Sequence, residues 1–243
     1  MSTPISDKRS TSGQPGRSGR RRWASFARDV AVILVIAVLV SVVVKTFLVR
    51  SFYIPSGSML NTLEIDDRIL VNELQPRLFP IERGDIVVFT DPGGWLDVRH
   101  ADPVRPVEWL LSLVGLAAPD SDDHLVKRVI GLPGDHVVCC NPVGELEING
   151  VAVDEPYLMN VNGPASTSEF DVTVPKNSLW VMGDNREGSA DSRSHMDQPG
   201  GGFVPMEAVV GRAFARTWPI PSFGLLNMSP DVFDGIPEPS PSG

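Results

Sequence analysis

The chain has 243 residues, 42% of them hydrophobic and 21% charged, with 22 Gly, 22 Pro and a net charge of −9. That is enough for one large or two small domains with a sizeable core, and the turn residues argue against a helical bundle. Residues 1–29 hold seven basic and two acidic side chains, so the remainder carries −14; an acidic body excludes nucleic acid as the main partner, because phosphate binding needs a basic folded surface.

Residues 1–28 read as a disordered basic tail, with Ser, Gly, Pro and Arg in place of any apolar period. Residues 30–44, VAVILVIAVLVSVVV, are uncharged, and after Lys45 the apolar character resumes to Val49. About 20 such residues cross ~30 Å of hydrocarbon, which predicts a transmembrane anchor over 29–50. Lys45 lies near its end, where a long side chain can reach the interface. A buried core helix is the alternative, but a run with no polar face argues against it. Arg20, Arg21, Arg22 and Arg28 precede the run and place the N-terminal side in the cytoplasm. Everything after Arg50 is then exported, and the region lies at the plasma membrane as a single-pass protein. VKTFLVRSFYIPS offers no small-residue cleavage site, so the segment reads as an uncleaved signal anchor.

Beyond the anchor, Arg68–Asn72, Asp85–Thr90, Leu125–Ile130, His136–Cys140 and Leu179–Met182 read as strands, short and rich in β-branched residues between Gly, Pro, Asn or Asp. In ELEINGVAV, residues 145–153, Asn149-Gly150 sits between alternating apolar positions and predicts a hairpin with a type I′ turn. Residues 160–171 read as a loop. Residues 91–123 hold prolines and acids around WLLSLVGLAA, Trp109–Ala118, which is too short to span a bilayer; a buried helix or strand is expected there, with an interfacial contact as the alternative. Residues 229–243 read as a second disordered tail.

The fold expected is mostly β: a single N-terminal transmembrane helix, then an exported antiparallel β-sheet domain with an inserted smaller β-subdomain. The exported folded domain would cover 51–228, with a main β-core at 51–134 and 181–228 and the insertion at about 135–180. Cys139 and Cys140 are adjacent and the four histidines have no metal spacing, so no metal is expected. Neighbours on a strand point to opposite faces, so two reduced thiols are expected, with a strained vicinal disulfide or an intermolecular pairing as alternatives.

Two features carry chemistry. A serine hydroxyl needs a partner to take its proton, and FYIPSGSML sets two serines around a glycine just beyond the anchor. No histidine lies in a triad-like motif and there is no G-x-S-x-G elbow. Lysine can serve instead if burial lowers its pKa. Of the four lysines, Lys8 is in the tail, Lys45 in the span and Lys176 in a turn, whereas Lys127 sits in the β-like LVKRVIGLPGD. Strand alternation turns Lys127 to the face of Leu125 and Val129, with Arg128 opposite. Taken alone, such a lysine is ordinarily an exposed structural residue and such a serine ordinarily part of a turn.

FYIPSGSML with Leu63, then RGDIVVF, LVKRVIGLPGD and MGDNREGSADSR, resemble in order the boxes of bacterial type I signal peptidases. These are membrane-anchored serine proteases that remove signal peptides from exported proteins. The boxes cover about forty residues, and the tail composition with the Cys-Cys pair suggests an actinobacterial member. The resemblance implies Ser58 as nucleophile, Lys127 as general base, and Ser56 with the Ser58 backbone N–H as oxyanion donors. Ser189 would orient the lysine, and Asp184, Asn185, Asp191 and Arg193 would be structural groups near the site. Phe52, Ile54, Pro55, Met59, Leu63 and Val126 would line the pockets for small side chains before the cut, although each also suits a core. The apolar surface around Ile54 would face the bilayer. Glu187-Gly188 departs from the family's usual third box at a variable position. The implied partners are signal peptides of exported preproteins and the lipid bilayer, with no cofactor. Two rivals are the same chemistry devoted to pilin or other surface-protein precursors, and a non-enzymatic scaffold that would have lost the serine or lysine.

Overall fold

The structure is a computed structural model that describes residues 17–96, 123–228 and 230–239. It divides into two units, Met1–Val44 and Lys45–Gly243.

Helix α1 runs Arg17–Phe47 and takes in the uncharged run. Among the described residues no helix is long and apolar enough to cross a membrane. The expected span over 29–50 therefore rests on the sequence. Its last two residues, Val49 and Arg50, belong instead to a strand, β1 (Val49–Tyr53).

The second unit is mostly antiparallel β. The strands are β2 (Arg68–Asn72), β3 (Ile86–Thr90), β4 (His124–Gly131), β5 (His136–Cys139), β6 (Leu146–Ile148), β7 (Val151–Val153), β8 (Phe170–Thr173), β9 (Ser178–Met182), β10 (Val204–Pro205), β11 (Val209–Trp218) and β12 (Gly224–Leu225). The larger sheet has the order β1-β2-β11-β3-β4-β9-β10, with β12 on β11; the smaller has β7-β6-β5-β8. Asn149 and Gly150 both adopt positive φ at the β6–β7 turn, as a type I′ hairpin requires.

Strand β11 pairs with β2 on one side and β3 on the other. Its inward face is Val209, Gly211, Ala213 and Ala215, too small to give a hydrophobic signal in the sequence. The small residues have a use: a Cβ at Gly211 would meet the Asn72 carbonyl and the Val71 side chain. Strand β4, between β3 and β9, contributes to all three buried clusters. Val126 packs with Phe52, Ile54 and Met59; Leu125 and Val129 with Val87 and Phe89; Ile130 with Val137 and Trp180. A polar side chain on β4 is therefore surrounded by core.

Three further expectations meet a different outcome. Residues 230–239 pack rather than trail, because Phe233 and Ile236 are buried with Trp180, Tyr157 and the smaller sheet; their Pro- and Gly-rich context hides two core anchors. Cys139 and Cys140 are joined by a disulfide; Cys140 lies just past β5, so the strand alternation that would separate them does not reach it. Ile54 is buried, and one exposed apolar surface is formed instead by Trp218, Ile220, Phe223 and Leu225. That surface adjoins Tyr53 across the sheet, because Arg68 pairs with both Tyr53 and Trp218. The segment Trp109–Ala118 lies outside the described residues.

Candidate active site

Ser58 stands on the short 3-10 turn Gly57–Met59 that follows β1. The turn is closed by Leu60 N–H, which donates to Gly57 O at 3.3 Å, and Leu63 and Thr62 N–H donate next to Met59 O at 2.7 and 3.1 Å, while Met59 and Leu63 are buried beneath it. Lys127 comes from β4, in register with Val87 of β3. Its Nζ donates to Ser58 Oγ at 2.8 Å and to Val126 O at 3.2 Å. Two residues 69 positions apart thus meet through one hydrogen bond.

Lys127 is only 4% exposed. Burial pushes its ammonium down to about 8, although the Asp191 and Asp184 carboxylates pull the other way. A neutral amine beside a serine hydroxyl is the arrangement that can take the hydroxyl's proton. Ser56 Oγ lies 3.4 Å from Ser58 Oγ.

Opposite Lys127, Arg128 is fully buried and forms a bidentate pair with Asp184 at 2.8 and 2.7 Å. It also donates to Gly84 O and Met228 O, and its guanidinium stacks 4.0 Å above the Tyr157 ring. Thr62 Oγ1 donates to Asp184 at 2.5 Å, so this ion pair clamps the nucleophile segment to β4 and to the loop after β9. The loop adds two further ties. Asn185 N–H donates to Ser58 O at 3.1 Å, and Asn185 Nδ2 donates to Gly57 O at 2.9 Å. Gly183 allows this approach, because a Cβ there would collide with Ser58 O and Ser189 Oγ.

Asp191 and Arg193 pair at 2.7 Å, both buried. Burial alone would raise the Asp191 carboxyl, but Arg193 and the Gly183 N–H outweigh it and hold the group below the usual carboxylate range. Ser189 is near but differently engaged. Its Oγ is buried beside Gly183, where it helps the Asp191 carboxyl stay ionised, and the second bond of Lys127 goes to Val126 O instead.

A cleft of about 340 Å³ opens over the pair, lined by Phe52, Ile54, Pro55, Met59 and Val126 together with Ser56, Ser58 and Lys127. Leu63, the sixth expected lining residue, is fully buried in the core and does not reach it. Trp95 and Leu96 do line the cleft, and sequence reasoning assigned them nothing because they open the Pro- and acid-rich stretch after β3. Among the described residues no group of His, Cys, Asp and Glu could hold a metal ion.

Residues 27–218 match the signal peptidase, peptidase S26 family. The chain belongs to that family. It is 40% identical over 225 residues to a signal peptidase I of Mycobacterium tuberculosis, covering 83% of this chain and 76% of that one. A probable signal peptidase I-2 of Synechocystis is 35% identical, covering 90% and 84% of the two chains. A crystal structure of a signal peptidase I from Enterococcus faecalis aligns with 27% identity and a TM-score of 0.36, over 54% of this chain and 95% of that one, too slight a likeness to support the fold. As a member of the signal peptidase family the chain is a peptide hydrolase, and the mycobacterial relatives agree with the actinobacterial character of its tail and cysteine pair.

Proposed function

We propose that the chain is a membrane-anchored Ser-Lys endopeptidase that removes signal peptides from exported preproteins after Ala-x-Ala-like sites. The observation that carries the dyad is the 2.8 Å bond from the buried Lys127 to Ser58 Oγ. Neutral Lys127 takes the Ser58 proton as Oγ attacks the scissile carbonyl. The oxyanion is held by the Ser58 N–H and the Ser56 hydroxyl. Protonated Lys127 then gives its proton to the leaving amine, and a water activated by the same amine releases the acyl group. Ser189 would orient the ammonium as it forms. Asp184, Asp191 and Arg193 are scaffold in this reading.

The peptide would lie extended in the cleft, with alternate side chains against Phe52, Ile54, Pro55, Met59 and Val126. Walls this close to the nucleophile favour small side chains before the cut. Anchorage is supported by α1, whose described apolar side chains Ile33, Leu34, Val35 and Ile36 are exposed at successive positions; a helix apolar all round suits lipid. The exposed apolar Trp218–Leu225 surface beside Tyr53 would give the second unit its own contact with lipid.

Cleavage of an Ala-x-Ala peptide by the full chain in detergent, compared with pilin-like substrates, tests the reading. Activity confined to the latter would sink it. The pH profile tests the base. The active form is the neutral amine and its pKa is lowered to about 8, so kcat/KM should rise about tenfold per pH unit below that value and level off above it. A profile flat from pH 6 to 9 would rule out Lys127.

Asn185 gives a further prediction. The Gly57 carbonyl and the Ser58 N–H belong to one planar peptide unit and point in opposite directions. By holding Gly57 O at 2.9 Å, Asn185 fixes where the oxyanion donor aims. Asn185→Ala should lower kcat roughly tenfold to a hundredfold with KM little changed, somewhat less than loss of a donor itself. A rise in KM alone would remove this role.

A further inference from the structure

After β3 the chain turns sharply back over the sheet. The Asp91 carboxylate accepts the backbone N–H groups of Gly93 and Trp95 at 2.9 Å and of Leu96 at 3.2 Å. Gly93 and Gly94 both take positive φ to make the bend. The Trp95 ring then stacks on His195, with centroids 4.2 Å apart and planes 4° from parallel, and meets Phe89 edge-on at 5.7 Å. His195 is itself fixed, because its Nδ1 is hydrogen-bonded to Asp191 O at 2.7 Å. Trp95 is therefore a rigid wall, braced from the same loop that carries Asp191.

That wall stands in the substrate cleft. Trp95 and Leu96 pack with Leu125 and Phe89 and line the cleft with Leu125, Lys127 and Ser58. Leu125 and Lys127 share a face of β4 two residues apart, roughly 6.6 Å along the strand. An extended peptide acylating Ser58 covers that distance in two residues. Neither Trp95 nor Leu96 belongs to the sequence boxes that suggest the dyad.

We propose that Trp95 and Leu96 form an additional specificity wall, contacting substrate side chains two to four positions before the cut. This rests on the signal-peptide-cleaving dyad proposed above. The wall is apolar and braced by His195 and Phe89, so it selects by shape: side chains that fit against an indole face are accepted, and bulkier ones are excluded until the wall is cut back. These are specificity-determining residues. The proton transfers remain with Ser58 and Lys127.

The test uses the full chain in detergent with a panel of peptides, each varied at one position from second to fourth before the cut. Trp95→Ala and Leu96→Ala should each change the relative kcat/KM among side chains at one of those positions by about fivefold or more. The reference Ala-x-Ala peptide is the denominator of each ratio, so a loss shared by every peptide does not count as a change of preference. Trp95→Phe, which retains an aromatic face for His195, should stay near the parent's preferences. Unchanged ratios in both alanine variants would overturn the proposal, as would an equal loss with every peptide. Should Trp95→Ala fail to fold, Leu96→Ala alone decides. Ser58→Ala on the same panel keeps the two ideas separate: cleavage surviving there refutes the dyad, whereas a shifted preference in the wall variants with Ser58→Ala inactive supports both.

Discussion

Ser58→Ala and Lys127→Ala are each expected to abolish peptide cleavage, lowering kcat by roughly 10⁴-fold or more. The two losses should not add. The hydroxyl and the amine form one device joined by a 2.8 Å hydrogen bond, so the double variant should be no worse than either single one. The fold should survive both. Ser58 and Lys127 are buried, but truncating them leaves no ion without its counter-ion, since the bonds of Lys127 go to Ser58 Oγ and Val126 O. Removing a buried amine can even stabilise the chain, because charging it costs desolvation. Lys127→Arg should be as inactive as Lys127→Ala, because a guanidinium stays protonated at working pH. Single-turnover cleavage with circular dichroism on the same samples checks all of this. Substantial activity in any of the single variants would refute the dyad.

The neighbouring residue should behave in the opposite way. Asp184→Ala leaves the Arg128 guanidinium buried and stripped of both carboxylate bonds, and Thr62 loses its acceptor. Breaking a buried pair from one side costs about 3–5 kcal/mol, which for a domain of this size is a fall in Tm of order 10 °C. Replacing both partners with apolar residues, Arg128→Met with Asp184→Leu, should recover much of that stability, since no charge is then left unpaired. The double variant should remain poorly active, because the pair holds the nucleophile segment against β4 as well as stabilising the core. Denaturant melts and kcat, measured side by side, separate the two effects. A melt unchanged by Asp184→Ala would show that the clamp is not structural.

The contrast between adjacent positions was legible in the sequence, but only in outline. Alternation along LVKRVI sends Lys127 and Arg128 to opposite faces, and the structure has them so. What periodicity could not convey is that both faces of β4 are core, since its residues join all three buried clusters, or that β11 is a central strand, since its buried Gly211, Ala213 and Ala215 carry almost no hydrophobic signal. Phe233 and Ile236 were hidden likewise by a Pro- and Gly-rich surround that resembles a tail. The turn serines and the box after β9 were readable from the family resemblance, but their bonding was not. Asn185 holding Gly57 O is a contact across 128 positions, and no local pattern encodes it. Trp95 escaped notice for a related reason. Its partner His195 lies a hundred residues on, and its own neighbourhood reads as an irregular loop.

Met228 O accepts a hydrogen bond from the Arg128 guanidinium, and Phe233 and Ile236 complete the core behind Trp180. Contacts of such long sequence separation form late, since the intervening chain must first be ordered. The guanidinium that clamps the nucleophile segment to β4 is thus itself held a hundred positions further along the chain, so losing the Met228 acceptor should loosen that clamp from a distance.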